Sequence, residues 1–190
     1  VSPDVLVPRS ETELLVESAL SLLKRNAQLL DLGTGSGAIA LAIASERQDA
    51  QVTATDVSAK ALQVAKQNAE QLGITVNFQE SHWFKNLGGT WQIIVSNPPY
   101  IDPDDPHLKH LHAEPQHALI AGEKGLADLR EIISEAPAYL NNKGWLLVEH
   151  GYDQAEQVRH LLEQRGFQAV TSHKDLANIE RISLGQYIYE

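Results

Sequence analysis

The stretch with the clearest chemical potential is Ser96-Asn97-Pro98-Pro99-Tyr100, which follows the apolar run Ile93-Ile94-Val95. Such a run is typical of a buried strand, so the motif should lie where that strand empties into a loop. Two successive prolines fix φ near about −65° and carry no N–H group, so this backbone neither starts a helix nor extends a sheet. The Asn97 side-chain oxygen, the Pro98 carbonyl and the Tyr100 ring could therefore hold a flat group bearing an NH2, such as an amide or a nucleobase. A proline-rich turn that only ends a strand and packs a tyrosine is the alternative.

A second candidate site is the stretch Asp31-Leu32-Gly33-Thr34-Gly35-Ser36-Gly37, which joins a predicted strand to a predicted helix. Glycines at such a turn let the backbone approach a ligand closely, and the helix N-terminus offers free N–H groups. Asp56 ends the next predicted strand, where a carboxylate can accept hydrogen bonds from both hydroxyls of a ribose. Ala38 stands where a dinucleotide fold has its third glycine, and no Gly-Lys-Ser/Thr follows. The pattern favours a nucleoside cofactor smaller than NAD and excludes a P-loop.

Composition narrows the class of protein. The 190 residues are 43% hydrophobic, enough for one domain with a sizeable core, and they contain no Cys, which excludes thiolate catalysis and Cys-ligated zinc. There are 25 acidic and 15 basic side chains, and no cluster of Lys or Arg marks a duplex-binding surface. No apolar run approaches the roughly 18 residues of a membrane span. We therefore expect a soluble, cytoplasmic protein without a nucleic-acid or membrane partner. We also expect a monomer. Because the sequence starts at Val1 and lacks Met, we expect it to be a segment or processed product of a longer chain.

The periodicity of apolar residues predicts alternating strands and helices, which is the rhythm of a doubly wound parallel sheet. A capping box at Ser10 to Glu13 predicts a first helix that ends near Asn26, and Gly73 predicts the end of the third helix. The last two strands should be antiparallel neighbours, since no helix separates them. The predicted strands are 28–32, 51–56, 75–79, 91–96, 145–149, 168–172 and 182–189, and the later helices are 38–47, 59–72, 127–140 and 154–165.

Other polar and aromatic residues have weaker claims to function. A long proline-containing loop before Gly122 carries four histidines, but it offers neither a regular scaffold nor a carboxylate set, so no metal site is predicted. Glu149 and His150 end a strand and are interpreted as a satisfied pair. Trp91 and Trp145 are predicted core residues. The histidines are His107, His110, His112 and His117.

Together, these motifs resemble Rossmann-like class I methyltransferases that use S-adenosylmethionine. More narrowly, the chain resembles the catalytic domain of the glutamine methyltransferases that modify peptide chain release factors. The similarity runs nearly end to end and is carried by residues 6–9, 11–13, 31–37, 83–84, 96–101, 114–115, 149–154 and 180–181. It implies a seven-stranded, mostly parallel sheet with an antiparallel last strand and helices on both faces. By this resemblance, residues 27–190 form the methyltransferase domain, residues 1–26 form a lead-in and first helix, and the family's N-terminal helical domain is absent.

The resemblance also implies the roles of individual residues. Gly33, Thr34, Gly35, Ser36 and Gly37 would cradle the amino acid end of the cofactor, Asp56 would hold its ribose, and Trp83 and Asn97 would line its pocket. Asn97, Pro98, Pro99 and Tyr100 would bind the substrate glutamine, with Asn97, Pro98 and Tyr100 serving catalysis. The first and fourth strands would lie side by side. The implied reaction methylates the side-chain amide of the glutamine in the Gly-Gly-Gln motif of class 1 release factors, leaving S-adenosylhomocysteine.

Three positions depart from the family pattern. Ser10 replaces a usual proline, His82 a usual aspartate, and Asn178 a common glycine, although Asn tolerates φ > 0 better than most residues. Arg9, Glu11 and Glu13 are further candidates for lining the pocket. The alternatives are a methyltransferase acting on a ribosomal protein glutamine, a DNA adenine methyltransferase, and a nucleoside-binding module without catalysis.

Overall fold

A computed structural model describes residues 5, 9, 11–102 and 119–189. Ser10, the predicted capping residue, the segment 6–8 and the histidine-rich loop therefore lie outside the described residues. Among the residues that are described, no helix is both long and apolar enough to cross a membrane.

Seven strands and their helices follow one another much as predicted. In chain order they are α1 (Glu11–Leu22), β1 (Gln28–Leu32), α2 (Ala38–Glu46), β2 (Gln51–Asp56), α3 (Ala59–Leu72), β3 (Asn77–Glu80), β4 (Trp91–Ser96), the single turn α4 (Gly122–Gly125), α5 (Ala127–Glu135), a 3₁₀ helix (Ala136–Tyr139), β5 (Leu140–Glu149), α6 (Ala155–Gln164), β6 (Gln168–Lys174) and β7 (Glu180–Tyr187).

The strands form one sheet in the order β3-β2-β1-β4-β5-β7-β6. Strand β7 is antiparallel to both of its neighbours, and all other pairs are parallel. This confirms the predicted fold class. Strand order reverses between β1 and β4, where Leu32 lies beside Ser96. In open α/β sheets a ligand crevice forms at such a switch point, beyond the carboxyl ends of the strands.

The boundary between α5 and β5 differs from the prediction of a helix over 127–140. The α-helix ends at Glu135, and a 3₁₀ helix that contains Pro137 follows, because Pro137 lacks the N–H that a continuing α-helix requires. Strand β5 begins at Leu140, five residues earlier than predicted, and Leu140 pairs with Trp91. The polar residues 141–143 hide this start because they interrupt the apolar run. Smaller shifts affect β3 and β7, predicted at 75–79 and 182–189.

Two hydrophobic clusters pack on opposite faces of the sheet, because successive residues of a strand point to opposite sides. On one face, Leu29 and Val95 lie in a cluster with Leu15 of α1 and Ile43 of α2. On the other face, a second cluster holds alternate strand residues together with residues of α5 and α6: Leu30, Leu32, Ile94, Leu146, Val148, Leu129, Ile132, Val158 and Leu162. Helix α1 is therefore part of the packed domain, and its first turn lies near the carboxyl ends of β4 and β5.

Gly73 ends α3 in the left-handed region at φ 66, where its N–H is directed to the Ala69 and Glu70 carbonyls. A Cβ there would meet nothing within 4 Å, so only backbone strain opposes it. We expect Gly73→Ala to lower the free energy of unfolding by about 1 kcal/mol, measured by urea denaturation. Gly88→Ala is the matched control, since it has equal space without a positive φ and should change stability little. Equal losses in the two variants would contradict the strain argument.

Candidate active site

A cavity of about 300 Å³ lies at the carboxyl ends of β1, β2 and β4. Most of the predicted site residues line it: Gly33, Thr34, Gly35, Ser36, Asp56, Trp83, Asn97 and Pro99. Because β1 and β4 are neighbours, the glycine-rich loop and the Asn-Pro-Pro-Tyr motif meet at one cavity although 60 positions separate Asn97 from Gly37. Thr12 of α1 also lines the cavity, and none of the candidates Arg9, Glu11 and Glu13 does so.

Three predicted site residues lie outside the cavity wall. Gly37 has φ 84, and a Cβ there would come within 3.1 Å of the Ala65 Cβ and the Leu41 Cδ1. This geometry gives Gly37 a packing role between α2 and α3. Pro98 is buried, and Tyr100 turns its hydroxyl towards the end of β5.

The glycine-rich loop is held by hydrogen bonds that its N–H groups donate to acceptors at the end of β2. Thr34 N–H donates to the Thr55 carbonyl at 2.8 Å, and Gly35 N–H donates to Asp56 Oδ2 at 2.9 Å. The other Asp56 oxygen accepts from Ser58 N–H at 2.8 Å. Gly35 has φ 54, and a Cβ on it would meet nothing within 4 Å. The loop is thus held in a left-handed conformation with open space beside it, and each Asp56 oxygen keeps a free lone pair.

Asp31 is a fully buried carboxylate beneath this loop. Thr34 Oγ1 donates to its Oδ2 at 2.6 Å, whereas Oδ1 has no hydrogen-bond partner among the described residues. Burial raises the pKa of Asp31 to about 7. An incompletely satisfied buried carboxylate favours a cationic partner, since burial of an unpaired charge is costly. Asp31 begins the candidate stretch identified in the sequence, but its side chain was given no role there, and it lies beneath the loop without lining the cavity.

Trp83 forms another part of the wall in an unusual conformation. Its φ of 45 is rare for a bulky residue, and its carbonyl accepts a hydrogen bond from Ser81 Oγ at 2.9 Å. A Cβ on Gly33 would lie 3.3 Å from the Trp83 ring, so close packing of the ring favours glycine there. His82 and Asp128 line the cavity beside it, and burial raises the pKa of Asp128. The indole is therefore part of the cavity wall.

Glu149 and His150 have separate environments despite their shared position at the end of β5. His150 Nε2 lies 2.9 Å from Ser183 Oγ, and burial lowers the pKa of His150, so it is a satisfied structural residue as interpreted. Glu149 points the other way and accepts hydrogen bonds from Thr12 Oγ1 at 2.9 Å and from the Tyr100 hydroxyl at 3.2 Å. The strand-end interpretation thus missed a link from Glu149 to the predicted substrate motif.

Gly125 and Gln154, which lie 25 and 54 positions further along the chain, pack against the Tyr100 carbonyl or hydrogen-bond to it. Gln154 Nε2 donates to it at 3.0 Å, while Gln154 Oε1 accepts from Gly151 N–H at 2.8 Å. A Cβ on Gly125 would collide with the Tyr100 carbonyl, so only glycine fits at that turn. The end of the Asn-Pro-Pro-Tyr motif is therefore fixed by close packing as well as by its own prolines.

Two further local features bear on the site. Asn178 has φ 64, so it keeps the left-handed conformation that suits the usual glycine at this position. Within residues 5, 9, 11–102 and 119–189, no group of three His, Cys, Asp or Glu side chains is arranged to hold a metal ion.

The chain is similar to methyltransferases in both sequence and fold. Residues 10–175 match the family described as "Methyltransferase small domain". A release factor glutamine methyltransferase from Vibrio cholerae is 48% identical over 193 residues, which cover 98% of this chain and 68% of the relative. The solved structure of a release factor-specific protein-(glutamine-N5) methyltransferase from Alicyclobacillus acidocaldarius is 31% identical with a TM-score of 0.60, over 100% of this chain and 99% of that one. A methyltransferase from Pyrococcus furiosus, 19% identical with a TM-score of 0.77, shares the fold over 100% of this chain and 88% of its own.

Proposed function

The chain belongs to the family of release factor glutamine methyltransferases, and we propose that it methylates the glutamine of the Gly-Gly-Gln motif in class 1 peptide chain release factors. The methyl group would come from S-adenosylmethionine and would be transferred to the side-chain amide nitrogen. The observation that carries the proposal is that Asn97 lines the same cavity as Gly33 and Gly35. A cofactor on the glycine-rich loop would thus face an amide held at Asn97. Because the substrate is a translation factor, we propose a cytoplasmic location.

The residues of the cavity fit S-adenosylmethionine. Beneath the loop that lines the cavity, the fully buried Asp31 has one carboxylate oxygen with no hydrogen-bond partner among the described residues, and the ammonium of an amino acid would satisfy it. Gly35 leaves open space beside the loop. Asp56 keeps acceptor capacity for ribose hydroxyls, and Trp83 offers an aromatic wall. When bound, this cofactor supplies a methyl group on a positively charged sulfur, which makes that methyl electrophilic. All other requirements of the reaction fall to the residues that bind and orient the acceptor.

The acceptor nitrogen needs help because an amide lone pair is delocalised into its carbonyl. Acceptance of its two N–H groups by the Asn97 side-chain oxygen and the Pro98 carbonyl would aim the lone pair at the methyl group. The prolines and the contacts of Tyr100 hold these acceptors in place before the substrate arrives. Positioning of this kind supplies most of the rate gain in a transfer that creates no oxyanion. The proton would leave to solvent after transfer.

The test is a transfer assay with radiolabelled S-adenosylmethionine and four acceptors offered separately. These are a purified class 1 release factor, the same factor with the Gly-Gly-Gln glutamine changed to alanine, purified ribosomal proteins, and duplex DNA. We expect label on the intact factor, at least about 100-fold less label on its alanine form, and none on the ribosomal proteins or the DNA.

Label on ribosomal protein or DNA instead would replace the proposed substrate with one of the alternatives. Label on no acceptor, while calorimetry shows that the cofactor binds, would also overturn the substrate assignment. The nucleoside-binding module without catalysis would then be the better interpretation.

A further inference from the structure

The carboxylate of Glu149 lies at the carboxyl end of β5 and is almost fully buried, with 1% of the residue exposed. Each of its two oxygens accepts one hydrogen bond, Oε2 from Thr12 Oγ1 and Oε1 from the Tyr100 hydroxyl. Both donors to this buried carboxylate are neutral hydroxyls, and burial of a charge costs free energy.

The hydrogen bonds from Glu149 continue to Asn97 in a defined direction. An ionised carboxylate can only accept, so the Thr12 hydroxyl must donate its single proton to Glu149. The Thr12 oxygen is then left as an acceptor, and Asn97 Nδ2 donates to it at 3.4 Å. Since the Asn97 amide nitrogen faces Thr12, its oxygen faces away from Thr12 and is free to accept. The charge on Glu149 thus selects one of the two orientations of the Asn97 amide.

A second hydrogen bond ties Glu149 to the other end of the same motif. The Tyr100 hydroxyl donates to Oε1 at 3.2 Å, and burial raises the pKa of Tyr100, so this hydroxyl keeps its proton. Glu149 therefore contacts Tyr100 directly and Asn97 through Thr12. One side chain from β5 holds both ends of a motif that follows β4.

We propose that Glu149 is a positioning residue, which fixes the Asn97 amide through Thr12 so that its oxygen, and not its nitrogen, is presented to the substrate amide. This inference rests on the proposed function for its catalytic consequence. The hydrogen-bond chain itself can be tested without turnover. Thr12 brings α1 into the site, since it is the link that makes the orientation of Asn97 depend on β5.

Protonation of Glu149 should reverse the direction of the hydrogen bonds from Glu149 through Thr12 to Asn97. Burial raises the pKa of Glu149 to about 7, with Glu11 acting in the same direction and with hydrogen bonds from Thr12 and Tyr100 and the charge of Arg181 opposing it. A protonated carboxyl can donate to Thr12, which would then donate to Asn97 and favour the flipped amide. The Asn97 amide orientation that presents its oxygen to the substrate should therefore become more populated as pH rises through about 7.

Three variants test the positioning role in the transfer assay. We expect Glu149→Gln and Thr12→Val each to lower kcat about 10- to 100-fold, while the Kd for S-adenosylmethionine changes less than about twofold. Thr12→Ser keeps the hydroxyl and should retain at least about half of the wild-type rate. The double variant Glu149→Gln/Thr12→Val should be about as slow as either single variant, because both changes break one chain. Glu180→Gln, an acid on β7 that pairs with Arg159 at 3.1 Å, is the matched control and should be unaffected.

The pH profile separates positioning from a merely structural role. Wild-type kcat should rise between about pH 6 and 8, and Glu149→Gln should lose that rise. A rate for Glu149→Gln within twofold of wild type, a Thr12→Ser variant as slow as Thr12→Val, or losses that multiply in the double variant would each overturn the proposal.

A measurement without turnover distinguishes failure of this inference from failure of the proposed function. The Asn97 side-chain NH2 signal, identified by its loss in Asn97→Ala, should titrate in ¹⁵N NMR spectra with a midpoint near pH 7. The titration should disappear in Glu149→Gln and persist in Glu11→Gln. If wild type methylates no release factor yet shows this behaviour, the proposed function fails and the hydrogen-bond chain stands. A signal that does not titrate, or that titrates unchanged in Glu149→Gln, overturns the chain.

Discussion

Replacement of Asn97 by alanine should reduce kcat for release factor methylation by about 10²- to 10³-fold, because the substrate amide loses the acceptor that orients it. The fold should survive. The Asn97 side chain is only partly buried, and its hydrogen bond to Thr12 is long at 3.4 Å. We therefore expect the free energy of unfolding to change by less than about 1 kcal/mol. Single-turnover transfer of label, with thermal unfolding measured in parallel, checks both expectations.

The matched control for this prediction is Asn142→Ala. Asn142 lies on β5 at the end of the sheet away from the cavity, where its Oδ1 accepts a hydrogen bond from Tyr189 N–H at 3.2 Å. It should lose no activity. An Asn97→Ala variant that methylates at close to the wild-type rate would mean that another group orients the amide.

Replacement of Asp31 by asparagine should have opposite effects on stability and on cofactor binding. The pKa of Asp31 is raised from 3.8 to about 7 by burial, so the native protein holds this proton more tightly than the unfolded chain does. The contribution of this proton to the free energy of unfolding is fully present below about pH 4 and is lost as pH rises through about 7. At pH 8 the ionised Asp31 carboxylate therefore lowers the free energy of unfolding by about 4 kcal/mol relative to the protonated form, since each pKa unit corresponds to about 1.4 kcal/mol.

We expect Asp31→Asn to raise the free energy of unfolding of the cofactor-free protein by about 2–4 kcal/mol at pH 8, because it removes this charge while keeping an acceptor for Thr34. The gain should shrink towards pH 5. Affinity for S-adenosylmethionine should fall about 30-fold or more, since the ammonium of the cofactor loses a buried partner. Urea denaturation across pH and calorimetric titration measure the two quantities.

Asp49→Asn is the control for Asp31→Asn, because the pKa of Asp49 is shifted in the opposite direction. Its hydrogen bonds from Arg47 hold the pKa of Asp49 below its ordinary range, so its contribution is present near neutral pH and is lost on acidification. The Asp49→Asn variant should be slightly less stable at pH 8 and should bind the cofactor normally. If Asp31→Asn also lost stability at pH 8, or kept full cofactor affinity, Asp31 would not be the buried charge that receives the ammonium.

Much of the fold follows from local rules that a sequence displays directly. The apolar runs of β1 and β4 and the helical spacing of α3 reflect burial on the sheet, and they place these elements at the bounds the structure shows. Gly73 ends α3 because only a left-handed residue closes that turn without strain. The start of β5 could not be seen in this way, because residues 141–143 are polar, and the strand is defined on either side of them by pairing of Leu140 with Trp91 and of Gly144 with Tyr187, which are distant in the chain.

The candidate site likewise contains residues that local sequence predicts and residues whose role depends on tertiary packing. The glycine-rich loop, Asp56 and the Asn-Pro-Pro-Tyr motif are contiguous or regularly spaced, so residue types alone predict ligand contacts for them. Asp31 was less visible, since its significance comes from an unpartnered oxygen beneath the loop.

The roles of Thr12 and Glu149 depend wholly on tertiary structure. These residues are 137 positions apart, and no periodicity or motif relates them. They meet because α1 packs on the sheet through residues such as Leu15, which brings its first turn beside the end of β5. The chemistry that the motif can perform was thus readable from neighbouring residues in the chain. The orientation of the Asn97 amide depends on hydrogen bonds that exist only after distant elements have packed together.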